Sequence, residues 1–90
     1  MPTVRVAQHL AHQFPIPRKC VAKGRTVAEV IADLERQYPG VSRYLLEDHA
    51  ALRQHVNVFI GEKPVADRNG LSDPVSEDVD LFIMQALSGG

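Results

Sequence analysis

The chain is poor in cysteine, and this excludes several kinds of site. Cys20 is the single cysteine among 90 residues, so neither an internal disulfide nor a four-cysteine metal or iron–sulfur centre can form. A ferredoxin is excluded for the same reason. Since Cys20 lies in an apolar, strand-like stretch beside Val21, we expect it to be a buried small hydrophobe rather than a persulfide or thioester carrier.

Neither sign of charge dominates, and long apolar runs are missing. The net charge of −1 gives no electrostatic basis for binding nucleic acid or an anionic membrane. No apolar run approaches the roughly 18 residues of a spanning helix, and the N-terminus lacks a basic-then-apolar signal pattern. We therefore expect a cytoplasmic protein without a nucleic-acid or membrane partner. A length of 90 residues, 44% of them hydrophobic, predicts a single domain over residues 1–90.

One helix is strongly predicted. Thr26 can cap its first amides, and Glu29 can reach back to the N–H of Thr26. Pro39-Gly40 ends it. Apolar residues at helical spacing form one stripe, and polar residues are left for solvent. The stripe is Val27, Val30, Ile31, Leu34 and Tyr38, and the polar residues are Asp33, Glu35, Arg36 and Gln37.

Strands are predicted on both sides of this helix. Alternating and β-branched segments indicate strands over residues 3–7, 19–22, 56–60 and 79–84, with 63–65 as a short edge strand after the Gly61-Glu62 turn. Residues 9–14 are ambiguous, 41–46 are compatible with a short helix, and 47–54 with a polar loop or a further turn. The order predicts an α+β fold, in which a mixed sheet of four to five strands carries one main helix on one face.

No arrangement for catalysis or metal binding is legible in the rest of the chain. His9 and His12, read as strand residues, would point to opposite faces, and His49 and His55 have no ligand spacing, so no metal site is expected. The acidic residues of the C-terminal half are expected to be solvated loop charges: Asp67, Asp73, Glu77, Asp78 and Asp80.

The last predicted strand offers a candidate docking patch. If Leu81 and Ile83 face the core, Phe82 and Met84 face outward, and with Phe59 nearby they would form an apolar surface for a partner. In the reversed register Phe82 and Met84 are core residues. The sequence also offers residues for a polar rim, but it does not place them: Arg5, Arg53 and Arg68.

The sequence ends in Gly89-Gly90 directly after this strand and the segment 86–88. Glycine has no Cβ, so such a backbone can enter a slot too narrow for any side chain. A terminal carboxylate here suits a protein whose own C-terminus is the reactive group, enclosed by the active site of a second protein.

The ordered set of segments resembles the ubiquitin-like β-grasp sulfur carriers of the MoaD, ThiS and CysO type. The resemblance is carried by residues 26–40 (TVAEVIADLERQYPG), residues 56–60 (VNVFI), Asn69-Gly70-Leu71 and residues 86–90. The long stretch between Gly40 and Val56 resembles CysO more than the shorter ThiS. The resemblance implies a β-grasp fold with a flexible C-terminal Gly-Gly tail.

In that family the C-terminal glycine carboxylate is adenylated by a ubiquitin-activating-type enzyme (MoeB or ThiF type) and converted to a thiocarboxylate. The resemblance assigns this role to Gly90, with Gly89 as its unhindered neighbour and Ala86, Leu87 and Ser88 threading into partners. It implies a carrier protein rather than an enzyme, with no bound cofactor, since ATP is used by the activating partner. We expect a monomer that docks onto larger partners.

Three acceptors of the sulfur remain open: a cysteine-synthase-like enzyme, the large subunit of molybdopterin synthase, and a pathway to a sulfur-containing secondary metabolite. In the second case the chain would be the small subunit of molybdopterin synthase. The sequence does not indicate the sulfur donor or whether a protease recycles the carrier. Two other functions also remain open: a ubiquitin-like modifier joined to lysines through Gly90, and a non-covalent β-grasp interaction module.

Overall fold

The computed structural model describes residues 1–48 and 51–85 of the chain. Within them, no helix is both long and apolar enough to cross a bilayer. The elements, in chain order, are β1 Thr3–Val6, α1 Gln8–Gln13, β2 Lys19–Val21, α2 Val27–Gln37, α3 Val41–Leu45, β3 Leu46–Glu47, β4 Ala51–Leu52, β5 Val56–Ile60, β6 Lys63–Pro64 and β7 Asp80–Gln85.

Five strands form one mixed sheet in the order β2-β1-β7-β5-β6. The central strand β7 runs parallel to β1, with Val4 opposite Leu81, and antiparallel to β5, with Val58 opposite Ile83. The strands β2 and β6 are the antiparallel edges, and Pro64 on β6 suits an edge because it has no N–H to donate. The predicted mixed sheet and its edge strand are confirmed.

The core lies between the sheet and α2, as a β-grasp arrangement requires. The helix presents Val30 and Leu34, both fully buried, to the sheet residues Leu81 and Ile83, which are 1% and 2% exposed. Each such aliphatic side chain contributes about 1.5–3 kcal/mol when it is fully buried. The predicted apolar stripe of α2 is therefore the helix side of the core.

Of the two hydrogen bonds predicted for the capping box at the start of α2, one forms as predicted and the other has a different donor. The backbone N–H of Glu29 donates to Oγ1 of Thr26 at 3.2 Å, which is the expected N-cap bond. The Glu29 carboxylate, however, accepts from the backbone N–H of Arg25 at 2.9 Å and not from that of Thr26. The capping box thus reaches one residue further back than its sequence signature predicts.

Asp33 is buried, and the prediction that it faces solvent is wrong. Its carboxylate accepts the backbone N–H of Lys23 at 2.9 Å and the side-chain amide of Gln37 at 3.0 Å, and it pairs with Arg36. These donors compensate for desolvation, and the bond from Lys23 is the main reason why the pKa of Asp33 is lowered. Asp33 thereby ties α2 to the segment that follows β2.

The ambiguous segment 9–14 falls in a short helix, α1, which packs beside the central strand. The backbone N–H of Ala7 donates to the carbonyl of Ile83 at 2.9 Å, and Leu10 is buried. His9 and His12 therefore lie three residues apart on one helical face, and their predicted placement on opposite faces of a strand is wrong. Among the described residues, no group of three or more His, Cys, Asp or Glu side chains is placed to hold a metal ion.

Two acidic residues organise the loop before β7 instead of lying free in solvent. Asp67 accepts from the backbone N–H of Gly70 at 2.9 Å and from the Ser72 hydroxyl at 2.6 Å. The Ser72 bond is the main reason why the pKa of Asp67 falls to about 2. Asp73 accepts the backbone N–H groups of Ala66 and Asp67. The positive φ in this loop belongs to Leu71, whose side chain is buried.

Candidate functional site

The central strand leads directly to the segment that the sequence singles out. Gln85 is the last residue of β7 and is paired with Val56 on β5. The predicted reactive tail lies outside the described residues, and so does His49; the tail residues are Ala86, Leu87, Ser88, Gly89 and Gly90. The described part of a site therefore consists of the surfaces on either side of the C-terminal end of β7.

The sheet face opposite α2 carries an apolar patch, defined here as Phe59, Phe82 and Met84. Phe82 lies opposite Phe59 in the register between β7 and β5, and all three side chains are half-buried. Because Leu81 and Ile83 point into the core, the alternation along β7 directs its other side chains outward. The predicted outward register is confirmed, although a role in docking stays a prediction.

Arg5 borders this patch, as the predicted rim requires. It lies opposite Phe82 on the neighbouring strand β1, and its Nε donates to a carboxylate oxygen of Asp80 at 3.0 Å. Both side chains are about half exposed, at 45% and 50%, so the ion pair adds little to stability. It leaves this edge of the apolar patch close to neutral.

On the helix side, Tyr44 joins three elements at the end of β7. Its hydroxyl donates to the side-chain oxygen of Gln13 on α1 and lies 3.4 Å from that of Gln85. Its ring packs against Phe14 with ring centroids 5.9 Å apart and an interplanar angle of 46°, a tilted geometry that aromatic pairs favour. Sequence reasoning did not identify Tyr44, because the pattern of the short segment 41–46 gave no indication of its partners.

Arg53 and Arg68 lie beside the start of β5. Nη2 of Arg68 donates to the carbonyls of Arg53 and Val56 at 3.0 and 2.8 Å, and Nε of Arg53 donates to the carbonyl of Arg43 at 3.0 Å. Of the three candidate rim arginines, Arg53 lines a separate groove together with Tyr44 and Gln85. Arg68 donates to Oδ1 of Asn57, the residue opposite Met84, so Arg68 reaches the edge of the patch, as Arg5 does.

Cys20 lies opposite Val4 on the core side of the sheet and is partly buried. Burial raises the pKa of its thiol, and a hydrogen bond with Tyr38 offsets this only in part. A raised pKa lowers the thiolate fraction and so the nucleophilicity of the group. The predicted packing role for Cys20 agrees with this environment.

A sequence model of the ThiS family matches residues 11–90 of the chain. The chain belongs to the ThiS family. The match begins within α1, includes every later element and continues to Gly90. The family resemblance that was inferred from residues 26–40, 56–60 and 69–71 is therefore confirmed.

The chain is similar to proteins that carry the name CysO. It is 31% identical to the sulfur carrier protein CysO of Mycobacterium tuberculosis H37Rv over 71 residues, which cover 77% of this chain and 76% of that protein. A chain in the crystal structure of the Amycolatopsis orientalis BexX/CysO complex is 29% identical, with a TM-score of 0.85 and full coverage of both chains. The crystal structure of M. tuberculosis CysO is 26% identical, with a TM-score of 0.82 and coverage of 97% and 100%. These likenesses establish the predicted β-grasp fold.

Proposed function

We propose that this member of the ThiS family is a sulfur carrier that bears sulfur as a thiocarboxylate on Gly90. The observation that carries the proposal is the family match that extends to Gly90, supported by similarity to a protein named sulfur carrier protein CysO. The fold agrees with this role, because the tail follows β7, the central strand of the sheet, which is paired with a neighbouring strand on both sides.

The chemistry of a carboxylate explains why a partner enzyme is needed. An α-carboxylate is ionised at neutral pH and is a poor electrophile. A MoeB- or ThiF-type enzyme would let the Gly90 carboxylate attack the α-phosphate of ATP, releasing pyrophosphate and forming an acyl-adenylate. Hydrosulfide delivered by a sulfur donor then displaces AMP, so that a C–S bond replaces the C–O bond to phosphate and the product is the thiocarboxylate anion.

The chain itself serves as substrate and carrier in this scheme rather than as an enzyme. Its apolar patch of Phe59, Phe82 and Met84, which is half-buried on the outer face of the sheet, gives a partner a docking surface beside the start of the tail, since clusters of apolar side chains at the surface mark interaction sites. The acceptor that takes the sulfur is a biosynthetic enzyme. Similarity to CysO favours a cysteine-synthase-like acceptor over the large subunit of molybdopterin synthase.

Mass spectrometry of the protein isolated from the organism that encodes it tests the proposal. The expected result is replacement of one oxygen by sulfur, mapped to the peptide that ends at Gly90 and alkylated by iodoacetamide. In a reconstituted assay, a MoeB- or ThiF-type enzyme should catalyse ATP–pyrophosphate exchange with the full chain but not with a matched chain that ends at Gly89. Lysine-linked adducts through Gly90 would instead indicate a protein modifier, and full function without Gly90 would indicate a non-covalent module.

A further inference from the structure

A second surface adjoins the end of β7, on the helix side of the sheet. A groove of about 260 Å³ lies there, which we name the basic groove. Its lining residues are Arg43, Tyr44, Arg53, His55, Val56 and Gln85. Because Gln85 follows the alternation of the inward residues Leu81 and Ile83, the basic groove and the apolar patch flank the start of the tail on opposite faces of the sheet.

The guanidinium groups of Arg53 and Arg68 are held by neutral acceptors. Arg53, which lines the groove, donates to the carbonyl of Arg43, and Arg68, which does not line it, donates to two backbone carbonyls and to Oδ1 of Asn57 at 3.1 Å. Carbonyl acceptors fix the position of a guanidinium group but leave its charge in place. The charges are therefore positioned in advance, which lowers the entropy cost of recruiting them in an interface.

Elsewhere on the molecule, arginines near acidic groups are neutralised. Arg5 pairs with Asp80, and Arg36 pairs with Asp33. The arginines of the basic groove, Arg43 and Arg53, form no such ion pair within residues 1–48 and 51–85. The hydrogen bond from the backbone N–H of Gly40 is the main reason why the pKa of Glu35 is lowered, and the charge of Arg43 acts in the same direction. A chain with a net charge of −1 thus places Arg43 and Arg53, which form no salt bridge among the described residues, beside the start of its tail.

We propose that the basic groove docks an acidic surface, formed by Asp and Glu side chains, at the mouth of the channel through which a partner enzyme takes in the tail. The inference rests on the proposed function, because the tail must enter a partner. Positive charge at the rim of such an interface raises the association rate and fixes the register more than it adds affinity.

Distance favours an acidic protein surface over the phosphate of the reacting group. Five residues follow Gln85 in the sequence, and an extended chain of that length spans about 17 Å. When the tail is extended in a channel, the carboxylate of Gly90 lies well beyond the reach of an arginine side chain in the groove. The arginines would then contact the outside of the channel, not the adenylate inside it.

Arg43 is the residue to change, because its side chain makes no hydrogen bond among the described residues, whereas Arg53 and Arg68 bond the backbone. Lys63 gives the matched control, since it lies on β6 at the far end of β5 from Val56. The variants Arg43→Glu and Lys63→Glu carry the same net charge. Circular dichroism and thermal unfolding would verify that both variants fold like the wild-type chain.

Initial rates of ATP–pyrophosphate exchange with a MoeB- or ThiF-type enzyme, measured against chain concentration at low and high NaCl, test the proposal. We expect Arg43→Glu to lower the rate at subsaturating chain concentration about tenfold at low salt, Arg43→Gln to lower it less, and Lys63→Glu to leave it near the wild-type value. The deficit should shrink at high salt and disappear at saturation.

Three outcomes would overturn the inference. Equal rates for Arg43→Glu and Lys63→Glu would show that the groove does not recognise the partner. A deficit that persists at saturation would place Arg43 in the chemical step, in contact with phosphate. Absence of exchange with the wild-type chain would remove the proposed function and this inference with it, whereas the first two outcomes leave the proposed function intact.

Discussion

The hydroxyl of Tyr44 lies 3.4 Å from the side-chain oxygen of Gln85, and this contact joins α3 to the last residue of the central strand. The same hydroxyl donates to Gln13 on α1. Two helices thus meet the sheet at the residue from which the tail continues. The Tyr44 contacts thus hold the end of β7 in place, between the apolar patch on one face of the sheet and the basic groove on the other.

We expect Tyr44→Phe to loosen this end of the sheet without unfolding it. The substitution keeps the ring contact with Phe14 but removes the hydroxyl, so the loss in unfolding free energy should be about 0.5–1.5 kcal/mol. Amide hydrogen exchange should accelerate at Gln85 more than at Leu81 in the middle of the strand. Equal protection of Gln85 in both proteins would contradict the role given to Tyr44.

The apolar patch predicts a defect in partner binding for Phe82→Asp. Since Phe82 is half-buried on the face away from α2, a carboxylate there is tolerated by the fold but not by an apolar interface, and binding of a MoeB- or ThiF-type enzyme should weaken more than tenfold, about 2 kcal/mol. Calorimetric titration measures this.

Val21→Asp is the control for Phe82→Asp, because Val21 is 48% exposed and lies on the edge strand β2, two strands away from Phe82 on the central strand β7. It should bind like the wild-type chain. A stably folded Phe82→Asp variant with unchanged affinity would remove the patch from the interface.

Asp33 predicts a stability that depends on pH. Asp33→Ala removes the acceptor of the Lys23 and Gln37 bonds and leaves their donors to be satisfied by solvent, at a cost of about 1–3 kcal/mol at neutral pH. The pKa of Asp33 is lower in the folded state than in the unfolded state. The contribution of its carboxylate to the free energy of unfolding is therefore fully present at a pH above the unfolded-state pKa, and it is lost as the pH falls through the folded-state pKa.

Urea unfolding at pH 7 and near pH 3 measures this effect, and the gap between wild type and Asp33→Ala should narrow in acid. Asp78→Ala is the control, because Asp78 is exposed and its side chain makes no hydrogen bond among the described residues. A gap that stays constant with pH would mean that Asp33 stabilises the fold through packing and not through its charge.

The sequence was sufficient to predict the elements that follow a strong local period. The spacing of Val27, Val30 and Leu34 is helical, and the order of strands around this helix identifies the mixed sheet. The orientation of β7 was less certain, because Leu81 to Met84 are all apolar and either register satisfies the pattern. The structure resolves it, since the inward residues of β7 meet Val58 and Val4 on its two neighbours.

Two of the wrong predictions involve partners that are distant in sequence. The burial of Asp33 depends on the backbone of Lys23, ten residues upstream, and the helix α1 depends on packing against the central strand, since Leu10 is its single buried residue. Tertiary contacts override local propensity in such segments. The basic groove has the same origin, because its arginines come from α3 and from the loop before β5, which only the fold brings together.

Cys20 gives the last prediction, which bears on the chemistry of Gly90. Because burial raises the pKa of the Cys20 thiol, its thiolate fraction at neutral pH is small, and iodoacetamide should alkylate it more slowly than glutathione. The rate should rise with pH and should equal that of glutathione in urea. Tyr38→Phe, which removes the hydrogen bond that lowers this pKa, should slow the reaction further at neutral pH. Brief alkylation at neutral pH would then label a thiocarboxylate on Gly90 while leaving most of Cys20 unmodified. If Cys20 in the folded protein instead reacted as fast as glutathione, that result would contradict its buried environment.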